Sequence, residues 1–209
     1  MEKRRMPLQS LSLITLAGVV TLAGCAATPA VDTSAPTTPA ASASSVGGAA
    51  DTGDVLATVG VAGMTAQEAV EHLDQLDEQR PLDFRGSVTG TQLILATDEA
   101  NTVALPLPDD QFYLSIAPYQ STTHDCFNHS LATCRGEMAG EPVRVTITGE
   151  DGTVLVDEDA TTYRNGFVGF WLPRGIGATV EVTADGRTGS AEIRTDDDSP
   201  TCLTTVQLT

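Results

Sequence analysis

The segment from Thr123 to Met138 holds most of the side chains in this chain that could bind a soft metal or exchange electrons. Cys126, Cys134, His124 and His129 all fall within this one short stretch, and Cys202 follows much later in the chain. Thiolates are soft donors that favour monovalent copper or zinc. Cu(I) accepts two or three sulfurs without strict geometry. Zinc prefers four ligands, and a Cys3His set is available through His124 or His129. The Cys-x7-Cys spacing is not that of a zinc finger. The same thiols allow redox work: two thiolates that become a disulfide release two electrons, enough to take two Cu(II) ions to Cu(I). His129 or Arg135 beside a thiol would favour its thiolate form. No Cys-x-x-Cys is present, which argues against a thioredoxin-type oxidoreductase.

A reading from another class stands beside these. It is a β-sandwich surface binding module with one structural disulfide, one buried spare thiol and no metal role. Geometry separates the cases. On a straight helix, residues eight apart are about 12 Å apart along the axis, too far for a disulfide or a shared metal. Cys126 and Cys134 can act together only if the chain between them bends or leaves the helix, and Cys202 must come to meet them. Other catalytic signals are thin. Ser130 lies near histidines and Asp125, but in no Gly-x-Ser-x-Gly elbow. Asp196-Asp197-Asp198 reads as a solvated turn rather than a calcium site, and His72 as a surface histidine.

The setting is read from the N-terminus. Lys3, Arg4 and Arg5 precede the apolar run Leu11–Leu22. About 12 residues make roughly 18 Å of helix, short of the roughly 30 Å needed to span a bilayer, so the run reads as a signal segment. Leu22-Ala23-Gly24-Cys25 resembles the bacterial lipobox, which makes residues 1–24 a lipoprotein signal peptide and Cys25 the lipidation site. Two or three acyl chains, palmitate among them, would anchor the protein firmly to a membrane. Residues 25–54 are rich in Ala, Thr, Ser, Pro and Gly. They bury too little to order themselves and are expected to form a disordered tether. The protein is therefore expected outside the cytoplasm, in the periplasm or on the outer face of the cell membrane. Its 28 acidic and 11 basic residues leave a net charge of -17. That balance excludes a nucleic-acid partner and docking on anionic lipid by charge.

The remaining length is enough to bury a core, and with only 4% aromatic residues that core is mostly aliphatic. Thr65 and Glu68 fit a capping box. Val70, Leu73 and Leu76 continue as one apolar stripe, and Pro81 is expected to stop the helix just after Arg80. Strand-like runs cover 92–96, 102–107, 112–117, 143–148, 153–157, 166–172, 179–183, 189–193 and 201–208. Tight turns are expected between them at 98–101, 151–152 and 184–187. The expected fold is mainly β (α+β), with a small N-terminal helix-plus-strands part over 55–120 and a C-terminal β-sandwich over 121–209 that carries the metal-binding residues.

Several runs together resemble one family: Leu107–Tyr119, His124–Glu137, Asn165–Gly175 and Asp198–Thr205, with Ala62–Thr65 and His72–Asp74. Over about residues 56–209 the chain resembles the periplasmic copper-binding protein CueP family. The resemblance implies copper resistance and copper homeostasis outside the cytoplasm. It also implies supply of copper to periplasmic copper,zinc superoxide dismutase, and reduction of Cu(II) to Cu(I) by cysteines. The three family cysteines correspond to Cys126, Cys134 and Cys202, which makes them the expected Cu(I) ligands or redox pair. His124 and His129 are further candidates, for capturing Cu(II) or activating a thiol. A V-shaped homodimer built through N-terminal domains is also implied, with the helix in 55–80 as its interface element. The tether after Cys25 departs from the family pattern and favours a lipid-anchored protein.

Overall fold

The computed structural model describes residues 52–209, which belong to one compact unit. The expected signal peptide, Cys25 and the expected tether up to residue 51 lie outside the described residues. Two helices open the fold, α1 (Thr52–Val59) and α2 (Ala66–Asp74). Eleven strands follow: β1 (Arg85–Val88), β2 (Gln92–Ala96), β3 (Thr102–Pro106), β4 (Gln111–Ile116), β5 (His129–Ser130), β6 (Pro142–Gly149), β7 (Val154–Thr161), β8 (Val168–Pro173), β9 (Gly177–Ala184), β10 (Arg187–Arg194) and β11 (Cys202–Leu203). The protein is mainly β, as the alternation of apolar and polar residues implies. Among the described residues no helix is long and apolar enough to cross a membrane.

The capping box forms as the sequence implies. Thr65 Oγ1 accepts the Glu68 N–H at 3.2 Å, and Glu68 Oε2 accepts the Thr65 N–H at 2.8 Å. The helix ends earlier than expected, at Asp74 rather than beyond Gln79. The reason is Arg80. Its guanidinium turns back, donates to the carbonyls of Leu73 (3.0 Å), Asp74 (3.3 Å) and Leu76 (3.2 Å), and reaches Leu131 O at 2.9 Å. A buried cation thus satisfies the carbonyls that a further helical turn would have used.

The strands make three sheets, ordered β3-β2-β1-β5, β10-β9-β6-β7 and β11-β4-β8. Strands from both sides of residue 120 pair: β4 lies between β8 and β11, and β5 extends the sheet of β1. The tight turn at 184–187 is present and joins β9 to β10. Asp185 (φ 51°) and Gly186 (φ 73°) both take the left-handed backbone, as a two-residue hairpin requires.

β4 is the wall that sets the site. Phe112, Leu114 and Ile116 face the sandwich core with Val145, Ile147, Val180, Phe170 and Leu172. Strand side chains alternate, so Tyr113 and Ser115 face the other way. Tyr113 packs with the α1/α2 core of Val55, Val70, Leu73, Val88 and Leu93. Ser115 sits beside Asp74, and just past the strand Ala117 packs with Cys134, Cys202 and Phe167. One strand therefore runs from the helix core, past a buried carboxylate, to a cluster of sulfurs.

Candidate metal centre

His129 enters through β5, which pairs with β1 opposite Val88. Its backbone N–H donates to Thr201 Oγ1 at 2.9 Å, and that hydroxyl donates to Val88 O at 2.6 Å. After β5 the chain makes one open turn, closed by Cys134 N–H to Ser130 O at 3.1 Å, and this returns Cys134 over the strand. The Ser130 N–H then donates to Cys134 Sγ at 3.3 Å. Beyond Cys134, Gly136 donates to Asn165 O at 2.6 Å, and a Cβ there would stand 2.5 Å from Gly166 O. Only glycine allows the cysteine loop to lie this close to the β7–β8 turn.

Cys126 is brought in from the other side. Phe127 O accepts the N–H groups of Thr201 (2.9 Å) and Cys202 (3.2 Å), which fastens the Cys126 loop onto β11. The segment from residue 124 to 138 is irregular apart from the two residues of β5, so the chain does leave the helix between the two cysteines. Cys126 Sγ and Cys134 Sγ stand 3.6 Å apart, and Cys202 Sγ lies 3.7 Å from His129 Nδ1. All three cysteines are free, because these sulfurs stand well beyond the length of an S–S bond. Two sets place one ligand atom from each member within 4.8 Å of the others: His124, Cys126 and Cys134, and His129, Cys134 and Cys202. Every sequence-derived candidate in the described residues therefore belongs to one cluster. Three remaining features fit their plain readings: His72 is exposed at the surface of α2, Asp196 pairs with Arg194, and Asp197 pairs with Arg174.

The sequence reading missed Asp74. This carboxylate is fully buried and takes four hydrogen bonds: from Tyr113 OH (2.6 Å), Ser115 Oγ (3.2 Å), Asn165 Nδ2 (2.6 Å) and His129 Nε2 (2.9 Å). The available signal was a carboxylate next to Leu73 and one helical turn after Val70, on the apolar stripe of α2. Glu137 was also missed. Its carboxylate takes the backbone N–H groups of Gln120, Ser121 and Thr122 at 2.7, 3.0 and 3.3 Å, and so fastens the stretch that leads to His124. Those bonds hold its pKa down, at about 2.

Burial and charge divide the protons within the cluster. Burial alone would lower the His129 pKa, but the charge and hydrogen bond of Asp74, with help from Cys134, raise it to about 9. Burial works to raise the Asp74 pKa, and His129, Tyr113 and Asn165 hold it below its ordinary value. Among the thiols, Cys134 is the one whose ionised form is favoured. Hydrogen bonds from Cys126 and Cys202 and the neighbouring imidazolium push its pKa down, as a cation beside a thiol does. Cys126, its sulfur 3.6 Å from that of Cys134, is pushed up to about 12, and Cys202 is also raised.

These shifts predict an unusual pH profile for the reduced, metal-free protein. His129, raised from 6.5 to about 9, contributes stability that is present below its unfolded pKa and fades as pH rises to the folded one. Cys134, lowered from 9.0, contributes in the opposite sense, and its part grows until the unfolded thiol has ionised. The two offset each other between the ordinary histidine and cysteine pKa values. At higher pH the raised Cys126 and Cys202 retain protons that the unfolded chain has lost. Each such group then makes stability fall with every further pH unit. Urea unfolding of the reduced protein should therefore give a flat profile from about pH 6.5 to 9 and a decline above it. In Cys134→Ser the decline should begin near the lower of those two limits. A wild-type profile that already falls steeply between them would contradict this division of protons.

The geometry fits copper as cargo: soft sulfur donors and imidazole nitrogens, with three rather than four ligands in either set. The family model for periplasmic copper-binding protein CueP matches residues 68–207. A solved structure described as "Crystal Structure of S.CueP" shares 46% identity, with a TM-score of 0.74, over 77% of this chain and 99% of that chain. No curated protein matches the chain. The chain belongs to the periplasmic copper-binding protein CueP family, whose place is outside the cytoplasm and whose ligand is copper.

Proposed function

We propose that this protein is a lipid-anchored, extracytoplasmic copper carrier that holds Cu(I) by the thiolates of Cys126, Cys134 and Cys202, with His124 and His129 as imidazole partners. The observation that carries the reading is the gathering of three sulfurs, one of them remote in sequence, with the Cys126 and Cys134 sulfurs 3.6 Å apart and Cys202 within one ligand set with Cys134. Cu(I) fits better than zinc, because each set offers three donors and a structural zinc site takes four.

In this role the protein serves copper resistance and supplies copper to acceptors such as copper,zinc superoxide dismutase. Cys126 and Cys134 also suit reduction. If their sulfurs move together into a disulfide, two electrons leave and take two Cu(II) ions to two Cu(I) ions, and the Cys126 proton passes to solvent. Lipidation at Cys25 and the tether over 25–54 would hold the carrier near its membrane while leaving it free to reach partners. A homodimer through the α1–α2 region completes the proposal.

The short sulfur separation favours one second reading, a surface module in which Cys126 and Cys134 make a structural disulfide. Anaerobic titration with Cu(I), alongside thiol counting, separates the two. The carrier binds Cu(I) in reducing buffer, and the variant with Cys126, Cys134 and Cys202 all replaced by serine loses that binding. Equal Cu(I) uptake by the triple variant would rule out a thiolate site. A single free thiol indifferent to copper would favour the module.

A further inference from the structure

We infer that the cluster works as two overlapping Cu(I) sites that share the Cys134 sulfur, an outer one that captures the ion and an inner one that retains it. This rests on the cysteine-based copper reading above. The outer set is His124, Cys126 and Cys134; the inner set is Cys134, Cys202 and His129; Cys134 belongs to both. Exposure falls steadily from one set to the other. His124 is exposed and Cys126 half-buried, whereas Cys134 is 7%, Cys202 3% and His129 0% exposed.

The two ends are also built differently. The ring nitrogens of His124 have no hydrogen-bond partner among the described residues, and its ring only meets Phe167 edge-on at 6.3 Å. It stands on an irregular stretch held from behind by Glu137. Such a ligand set can adapt to an arriving ion. The inner ligands stand on β5, on β11 and in the turn locked to β5. His129 Nε2 is engaged by Asp74, which leaves Nδ1 facing Cys202 at 3.7 Å. A carboxylate on the far nitrogen is the usual way a metal-binding histidine is oriented. Rigid, dry, preoriented ligands lose little freedom on binding and hold the ion longer.

The shared sulfur lets the ion pass without being released. The Cu–Sγ bond to Cys134 persists while the bonds to Cys126 and His124 break and bonds to Cys202 Sγ and His129 Nδ1 form. Cys202 gives up its thiol proton and His129 its Nδ1 proton as they bind; Cys126 takes up one proton as it lets go, and the other passes to solvent. Copper remains Cu(I) throughout, so the step exchanges ligands and protons but no electrons.

Stopped-flow measurement under anaerobic conditions tests this, with Cu(I) delivered from a chromogenic chelator and then withdrawn by excess chelator. Cys126→Ser should slow capture about tenfold and leave release within about threefold of the wild type. His124→Ala, an exposed change that leaves the fold alone, should slow capture only. Cys202→Ser should leave capture within about threefold and speed release about 100-fold. Circular dichroism confirms that each variant is folded before its rates are compared. If Cys126→Ser and Cys202→Ser change capture and release by the same factors, the three sulfurs form one undivided site, and the relay is wrong while the copper reading stands. If neither they nor Cys134→Ser changes either rate, the copper reading itself fails.

Discussion

Cys134→Ser should weaken Cu(I) binding more than any other single substitution in the protein, by about a thousandfold or more. A site that loses even an outer partner of a ligand commonly weakens about 10–100-fold, and Cys134 is a direct candidate ligand in both sets. Cys126→Ser and Cys202→Ser each leave one set intact and should cost less. The fold should tolerate the change. Serine is nearly isosteric with cysteine, and its oxygen can accept the Ser130 N–H that now meets the sulfur. A cost of about 1 kcal/mol is typical for such a substitution. Competition against a Cu(I) chelator of known affinity measures the effect. An affinity for Cys134→Ser equal to that of Cys202→Ser would show that Cys134 is not the common sulfur.

Asp74→Asn should be the most damaging polar substitution for stability. The carboxylate and His129 form an ion pair in which both side chains are 0% exposed. Removing one partner of a buried pair typically costs about 3–5 kcal/mol. His129 can shed its proton, which places the expected loss near the lower end, at about 3 kcal/mol. The amide also presents two N–H donors among Tyr113 OH, Ser115 Oγ and Asn165 Nδ2, where the carboxylate only accepts. A second consequence follows at the sulfurs. With His129 neutral, the Cys134 thiolate loses its positive neighbour, so the alkylation rate of the reduced protein should need a higher pH to reach its plateau. Thermal unfolding and an iodoacetamide pH profile measure the two effects. A destabilised protein with an unchanged alkylation profile would reduce Asp74 to a purely structural role.

Local patterns carried much of this fold. The Thr65/Glu68 capping box, the Asp185-Gly186 turn and the alternation along β6 and β9 depend on neighbours a few residues away, and they form as read. The thiol inventory singled out residues that the fold brings together, because soft ligands are few in the chain. Long-range, buried polar chemistry was hidden. Asp74 meets His129 and Asn165 across long separations in the chain, and nothing in the local sequence around Asp74 names those partners. The early end of α2 likewise depends on Arg80 folding back toward the distant Leu131. β5 and β11 have two residues each, too short for any periodicity, yet they deliver His129 and Cys202. Their position comes from pairing with β1 and β4, not from propensity.

X-ray absorption at the copper edge, on the reduced protein loaded with Cu(I), tests the central claim most directly. The account predicts that sulfur dominates the atoms bound to copper, with no more than one imidazole nitrogen beside it, and that the sulfur signal falls in Cys134→Ser. A copper environment made of nitrogen and oxygen alone, and unchanged by that substitution, would contradict it.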